Sequence, residues 1–333
     1  MKSAPDVRSW CFAAVLLSLS LFISADAGAT SVESRAARLP ASTSTHAANS
    51  PMLDVTQCGD RLVAVGIRGL ILVSQDSGRT WEQRPSPVDV TLTSLVCTGS
   101  HVGYAVGHEE TMLRTDDDGL TWQLVHTDVA GVPLLRIRFF GASNGFAVGG
   151  LGVTFSTSDA GTTWVRHIVN TEDGFDPHLF DIATLADGRL ILAGEAGRLF
   201  QSSDGGANWH ELPSPYNGSF FGLLALGSDR IMIFGMLGNV FFSPDGGGTW
   251  NALSTGESQS FFSAALNDDS IYLVGADGGI ADTGRDQPQK LSLTTVPDRP
   301  NITGLVATSS GLVLASDRGL KRVTPPAHNF ARH

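Results

Sequence analysis

The side chains able to do chemistry in this sequence recur at intervals instead of clustering once. A Ser/Thr-x-Asp-x-Gly-x-Thr/Asn-Trp pattern begins at Ser74, Thr115, Thr157, Ser202 and Ser243. Its fixed members are Asp76, Gly78 and Trp81, then Asp117, Gly119 and Trp122, then Asp159, Gly161 and Trp164, then Asp204, Gly206 and Trp209, and finally Asp245, Gly247 and Trp250. In a tight turn, a short carboxylate of this kind accepts hydrogen bonds from nearby backbone N–H groups and from the following Thr hydroxyl. The glycine meanwhile takes a backbone conformation that side chains resist. A reaction centre is needed once, so five copies point to a brace for turns, here called the Asp box. Asp116-Asp117-Asp118-Gly119 opens like a calcium loop, but its register is that of the box and the later Glu ligand of an EF-hand is absent. No metal and no cofactor are expected.

Other chemistries find less support. A sialidase-like mechanism needs three arginines around the substrate carboxylate, a tyrosine nucleophile with a carboxylate partner, and an acid/base Asp. The chain has Tyr104, Tyr216 and Tyr272. Tyr104 and Tyr272 fall where strand alternation predicts packing, and Tyr216 lies in a loop without an obvious Glu partner. Arg136-Ile137 lacks the proline that completes the sialidase arginine motif. There is no Gly-x-Ser-x-Gly elbow, phosphate loop, His-Glu-x-x-His or paired-Cys motif, and the spacing of His101, His108, Glu109 and Glu110 does not suit zinc. The chain is expected to catalyse nothing. The alternative is a glycan-binding or glycoside-hydrolysing propeller.

The elements that carry these residues follow from the period. The box tryptophans are separated by 41, 42, 45 and 41 residues. A second marker, an apolar strand ending at glycine, recurs at Gly66, Gly107, Gly149, Gly194, Gly235 and Gly275, with Ala315-Ser316 as a degenerate seventh. Each unit of about 40 residues divides into short alternating strands between Gly, Asn and Asp turns, with no stretch of helical period. The expected fold is all-β, a seven-bladed β-propeller of four-stranded antiparallel blades spanning 51–325. The seventh unit meets Pro325-Pro326 with no box and no fourth strand. Residues 28–50, a flexible leader rich in Ala, Ser and Thr, are expected to supply that strand from Thr43 to Ser50, and 326–333 form a tail.

Residues 1–27 have the basic start, apolar run and Ala-Asp-Ala end of a cleaved signal peptide, which places the mature chain outside the cytoplasm. The net charge of −11 disfavours nucleic acid and membrane surfaces as partners, and no segment after the signal is long enough to span a bilayer. Cys58 and Cys97 occupy equivalent places in consecutive repeats, so they either bridge neighbouring blades or stand as two small buried residues. A monomer is expected.

From His101 to Trp122, and again from Ser143 to Trp164, an apolar strand, a Gly-x-Ala-Val-Gly segment, a further strand and an Asp box follow in order. This order resembles the photosystem II stability/assembly factor-like family of Asp-box (BNR-type) propellers, and the likeness extends from Met52 to Val323. The resemblance implies a propeller of the periplasm, or of the thylakoid lumen, that binds a protein partner and assists assembly or stability of a membrane complex. In a non-photosynthetic host that complex could be a transporter. The sequence departs from the family in two ways: units six and seven lack the box, and the acidic balance offers no counterpart to the family's basic patch. In such a ring the loops between second and third strands, and those between blades, share one face. Arg68, His108, Glu109, Phe175, Glu195, Met236, Leu237 and Arg318 fall in those loops and are the expected partner-binding residues.

Overall fold

The computed structural model describes residues 39–325 except 268 and 287. The signal segment, residues 28–38 of the leader and the 326–333 tail lie outside the described residues. The period resolves into seven antiparallel sheets, six of four strands and one of three. The first strands are Met52–Cys58, Leu92–Gly99, Leu134–Phe140, Leu179–Thr184, Phe220–Ala225, Phe261–Asn267 and Ile302–Thr308. Each packs against the first strand of the blades on either side, and the last closes on the first. These strands therefore line the centre of a seven-bladed propeller.

The core lies between the blades. Seven clusters of buried side chains each span one blade-to-blade interface, from Cys58, Val63 and Leu95 between blades one and two to Met52, Leu72 and Val313 between seven and one. The second strands are buried on both faces, as in Arg61–Gly66 and Ile231–Gly235, and so read as continuous apolar runs. The fourth strands, such as Val165–Ile168, are largely exposed.

The glycine that ends each second strand has a steric cause. In every blade the carbonyl just before the first strand accepts a hydrogen bond from the residue after that glycine: Thr91 O from His108 N at 2.9 Å, Ser260 O from Ala276 N at 2.9 Å. The carbonyl then lies against the glycine Cα. A Cβ would stand 2.2 Å from Thr91 O at Gly107, 2.1 Å from Ser219 O at Gly235 and 1.8 Å from Ser260 O at Gly275. In the seventh blade Asn301 O accepts from Asp317 N at 3.1 Å, and Ser316 replaces the glycine ahead of a tighter turn.

The closing strand differs from expectation. Among the described residues the seventh sheet has three strands, Ile302–Thr308, Gly311–Ser316 and Gly319–Val323. The leader does not extend beside them. Ala47–Asn49 form a 3-10 turn that rests on the third of these strands, with buried Ala47 facing the interface of blades seven and one. The preceding segment is held by blade one instead: Ala41 N donates to Ser86 O, and Gln83 exchanges side-chain hydrogen bonds with Ser42 O and Ser44 N. Ring closure rests on side-chain packing and on Thr303 Oγ1, which donates to Met52 O at 2.9 Å. Cys58 and Cys97 form a disulfide with a Cα–Cα distance of 5.3 Å, joining blades one and two.

Candidate functional site

The five Asp boxes share one geometry. In the third blade Thr157 Oγ1 donates to Asp159 Oδ1 and accepts from Gly161 N, while Thr163 donates to Asp159 through its backbone N at 2.9 Å and its hydroxyl at 2.7 Å. The same bonds surround Asp76, Asp117, Asp204 and Asp245, with Asn208 standing in for the threonine in blade four. Both oxygens of each carboxylate accept hydrogen bonds from within their own turn. Hydrogen bonds from Thr163 hold Asp159 down to about 2, and those from Asn208 do the same for Asp204, also about 2. A carboxyl whose folded pKa lies below its unfolded value near 4 contributes stability that is complete above that value and lost as the pH falls. The tryptophan fluorescence of the five boxes is therefore expected to stay native down to about pH 4 and to change cooperatively toward about pH 2. Unchanged emission at pH 2 would show that the boxes do not couple to stability.

Tyr104, Tyr272 and Arg136, weighed for catalysis, are occupied elsewhere. Tyr104 is fully buried, donates to Ala160 O and accepts from Arg114, and burial raises its pKa, which opposes formation of a phenolate. Tyr272 is likewise buried with a raised pKa. Arg136 and Arg138, on the first strand of blade three, point to carboxylates rather than to open space. Arg138 makes a two-pronged pair with Asp181 at 3.0 and 2.9 Å, and Arg136 lies 3.7 Å from Asp181 and 3.6 Å from Asp54. Burial works to raise the pKa of Asp181, but Arg138 and Arg136 outweigh it and the net shift is downward. Asp54 also accepts from Ser94 Oγ and Leu95 N of blade two, and Asp181 from Leu223 N of blade five. The cluster stitches blades together through the channel. In the Asp116–Asp118 run, Asp116 pairs with Arg114 and Asp118 with His101. No group of three or more His, Cys, Asp or Glu among the described residues is placed to hold a metal ion.

The loops between second and third strands and those between blades lie at one end of the ring. The turns between second and third strands are compact, and their middle residue sits in the left-handed region in six blades, including Arg68 (φ 55°), Glu109 (φ 58°), Ala196 (φ 52°) and Leu237 (φ 55°). That geometry holds Leu151 and Leu237 at 50% and 60% exposure. Met236 beside Leu237 is half-buried, as are His108, Glu109 and Glu195, whereas Arg68 and Arg318 are exposed. Phe175 is 37% exposed in the long loop before blade four and lies under the Arg198 guanidinium, 5.7 Å from its ring centre. Arg198 is itself held by Asp173 and by Glu211. All eight residues picked out by the repeat alignment lie at this end, but they are spread around it.

The most contiguous apolar feature of that face was not picked out. Each first strand carries a bulge at its second residue, where the pairing with the second strand skips a position. The skipped residues are Leu53, Thr93, Leu135, Phe180, Phe221, Phe262 and Thr303, one per blade around the channel mouth. A bulge frees its residue from the ladder and re-aims its side chain. Thr93 and Thr303 use this freedom to donate to the next blade, at Leu134 O and Met52 O. Phe180, Phe221 and Phe262 instead meet one another, with ring centres 5.2 and 5.4 Å apart, and stay half-exposed. Their rise from a repeating Leu/Phe-Phe pair at the strand start was visible in the sequence, but which of the two faces the channel depends on the bulge.

Braced turns on a closed ring of antiparallel blades define a BNR-type propeller. The profile of the family described as Photosynthesis system II assembly factor YCF48 matches residues 117–290, more than half of the chain, and the chain belongs to that family. It is 29% identical over 158 residues to the photosystem II assembly lipoprotein Ycf48 of Synechococcus sp. (strain CC9902), a match covering 44% of this chain and 45% of that protein. Against the photosystem II assembly protein Ycf48 of Synechococcus sp. (strain JA-2-3B'a(2-13)) the identity is 30% over 137 residues, 39% of each. These matches span less than half the length of either relative. Among solved structures, YCF48 bound to D1 peptide superposes with a TM-score of 0.66 at 20% identity, covering 84% of this chain and 93% of that one. YCF48 from Cyanidioschyzon merolae gives 0.65 at 15%, covering 82% and 95%. An ancestral GH74 enzyme gives 0.67 at 13%, covering 82% of this chain and 44% of its own. At these identities the superpositions show a shared fold.

Proposed function

We propose that this chain is an exported, non-catalytic scaffold whose loop face holds a segment of a protein partner and so assists assembly or stability of a membrane complex. On this reading residues 1–27 are removed on export, residues 51–325 form the working ring, and the mature protein acts in the periplasm or, in a photosynthetic host, the thylakoid lumen. The observation that carries it is the row of half-exposed phenylalanines at the channel mouth, on a ring in which Tyr104 and Tyr272 are packed between blades and Arg136 and Arg138 are paired with carboxylates. Membership of an assembly-factor family supports it, as does the D1 peptide bound by a relative of the same fold. Exposed aromatic and aliphatic side chains grouped on a rigid frame are the usual anchors of protein recognition.

Replacing Phe175 and Leu237 by Asp is expected to leave thermal unfolding within about 2 °C of the parent, since both side chains are exposed. The same change is expected to cut several-fold the membrane-complex subunits cross-linked to the protein in its native compartment. Equal recovery from the variant and the parent would remove the loop face from the function.

A further inference from the structure

Charge on the loop face is divided by sector. Over blades four to six, where the three phenylalanines lie, Glu172, Asp176, Glu257 and Asp277 are exposed. Among the described residues none of the four makes an ion pair. Arg198, on the loop face of this sector, is already shared between Asp173 and Glu211. Among the described residues of this face, the exposed arginines without an ion pair include Arg68 and Arg318, on blades one and seven, and Arg299, whose backbone packs against Gly278 beside Asp277 at the edge of blade six. The loops that lead into Phe180 and Phe262 thus carry carboxylates without an ion pair, Glu172 and Asp176 in the first and Glu257 in the second, and an acidic segment laid along the row would meet repulsion from them.

The chain also displays on this face the contact such a surface would make. The Arg198 guanidinium sits over the Phe175 ring while two carboxylates hold its edges. A guanidinium between a phenyl face and carboxylates satisfies both its weakly hydrated plane and its N–H fork. Phe180, Phe221 and Phe262 offer further aromatic surface in the same sector, and among the described residues no arginine stacks over them.

We infer that the partner segment taken by this face is cationic: an extended stretch in which Arg or Lys alternates with apolar anchors, the anchors on the phenylalanine row and the cations on the surrounding carboxylates. This rests on the loop face being the binding face. It specifies the chemistry of the ligand and reverses the polarity that a basic patch would select.

The test uses the full mature chain and two fluorescein-labelled twelve-residue peptides, one alternating Arg with Leu and Phe, the other with Glu in each Arg position. Fluorescence anisotropy is expected to show the Arg peptide bound at least about tenfold more tightly than the Glu peptide, because several exposed pairs of modest strength act together. The difference is expected to shrink between 50 and 300 mM salt. Combining Glu172→Gln, Asp176→Asn and Glu257→Gln is expected to lower the Arg-peptide affinity by about tenfold with no change in melting temperature. Phe221→Ser is expected to weaken it with the salt dependence retained. Equal or tighter binding of the Glu peptide, or no binding of either, overturns the inference. The cross-linking result for Phe175 and Leu237 is independent of peptide charge, so the loop face can fail there while the charge preference is judged here, and the reverse.

Discussion

Gly275→Ala is expected to lower the unfolding free energy by about 3 kcal/mol, at the upper end of overpacking costs, which corresponds to roughly 6 °C in a protein of this size. The added methyl carbon would lie 1.8 Å from the Ser260 carbonyl oxygen, and that oxygen is fixed by its hydrogen bond from Ala276 N. Relief requires moving backbone, because no flexible side chain intervenes. Gly284→Ala serves as the control. It stands at the end of a third strand with nothing within 4 Å of the added carbon, and its melting temperature is expected to match the parent or rise slightly. Equal melting of the two variants would show that the carbonyl approach does not dictate glycine there.

The second large effect is expected at Asp181, whose carboxylate is almost wholly removed from solvent. Asp181→Ala leaves Arg136 buried without one of its two carboxylates, leaves Arg138 unpaired, and strips acceptors from Ile182 N and Leu223 N. Breaking one side of a buried pair costs about 3–5 kcal/mol. The lower end applies here because the Arg138 side chain is 38% exposed and recovers some hydration. Removing Arg138 together with Asp181 is expected to cost less than the sum of the single changes, the sign of direct coupling in chemical denaturation. Additive losses would show that the two act separately.

Both predictions bear on what the sequence revealed. The glycines at 66, 107, 149, 194, 235 and 275 gave the blade count because a backbone carbonyl is packed against each one, and a steric exclusion repeated by symmetry leaves a periodic mark. The Asp boxes were legible for the same reason: all their partners lie within a few residues of the carboxylate. Asp54 and Asp181 left no such mark. Their partners, Ser94, Arg138 and Leu223, come from neighbouring blades some 40 residues away, and Arg136 looked like a motif fragment until its carboxylates were in place. The leader was expected to pair as a strand because the seventh unit lacked one. Instead Gln83 and Ser86 of blade one offer it hydrogen bonds, while the last blade takes only Ala47 and the short turn around it. Phe180, Phe221 and Phe262 were missed because alternation assigns every second residue of a strand to one side, and a bulge shifts that parity without altering composition.

That shift of parity gives the mouth of the ring an evolutionary latitude that the sheets lack. Leu53, Leu135, Phe180, Phe221 and Phe262 can be recoloured without disturbing a ladder bond, so five addressable sites stand around one opening, between the threonine clasps of blades two and seven. Selection for a new client could proceed there one site at a time, while the glycines, boxes and buried carboxylates that keep the circle closed stay as they are.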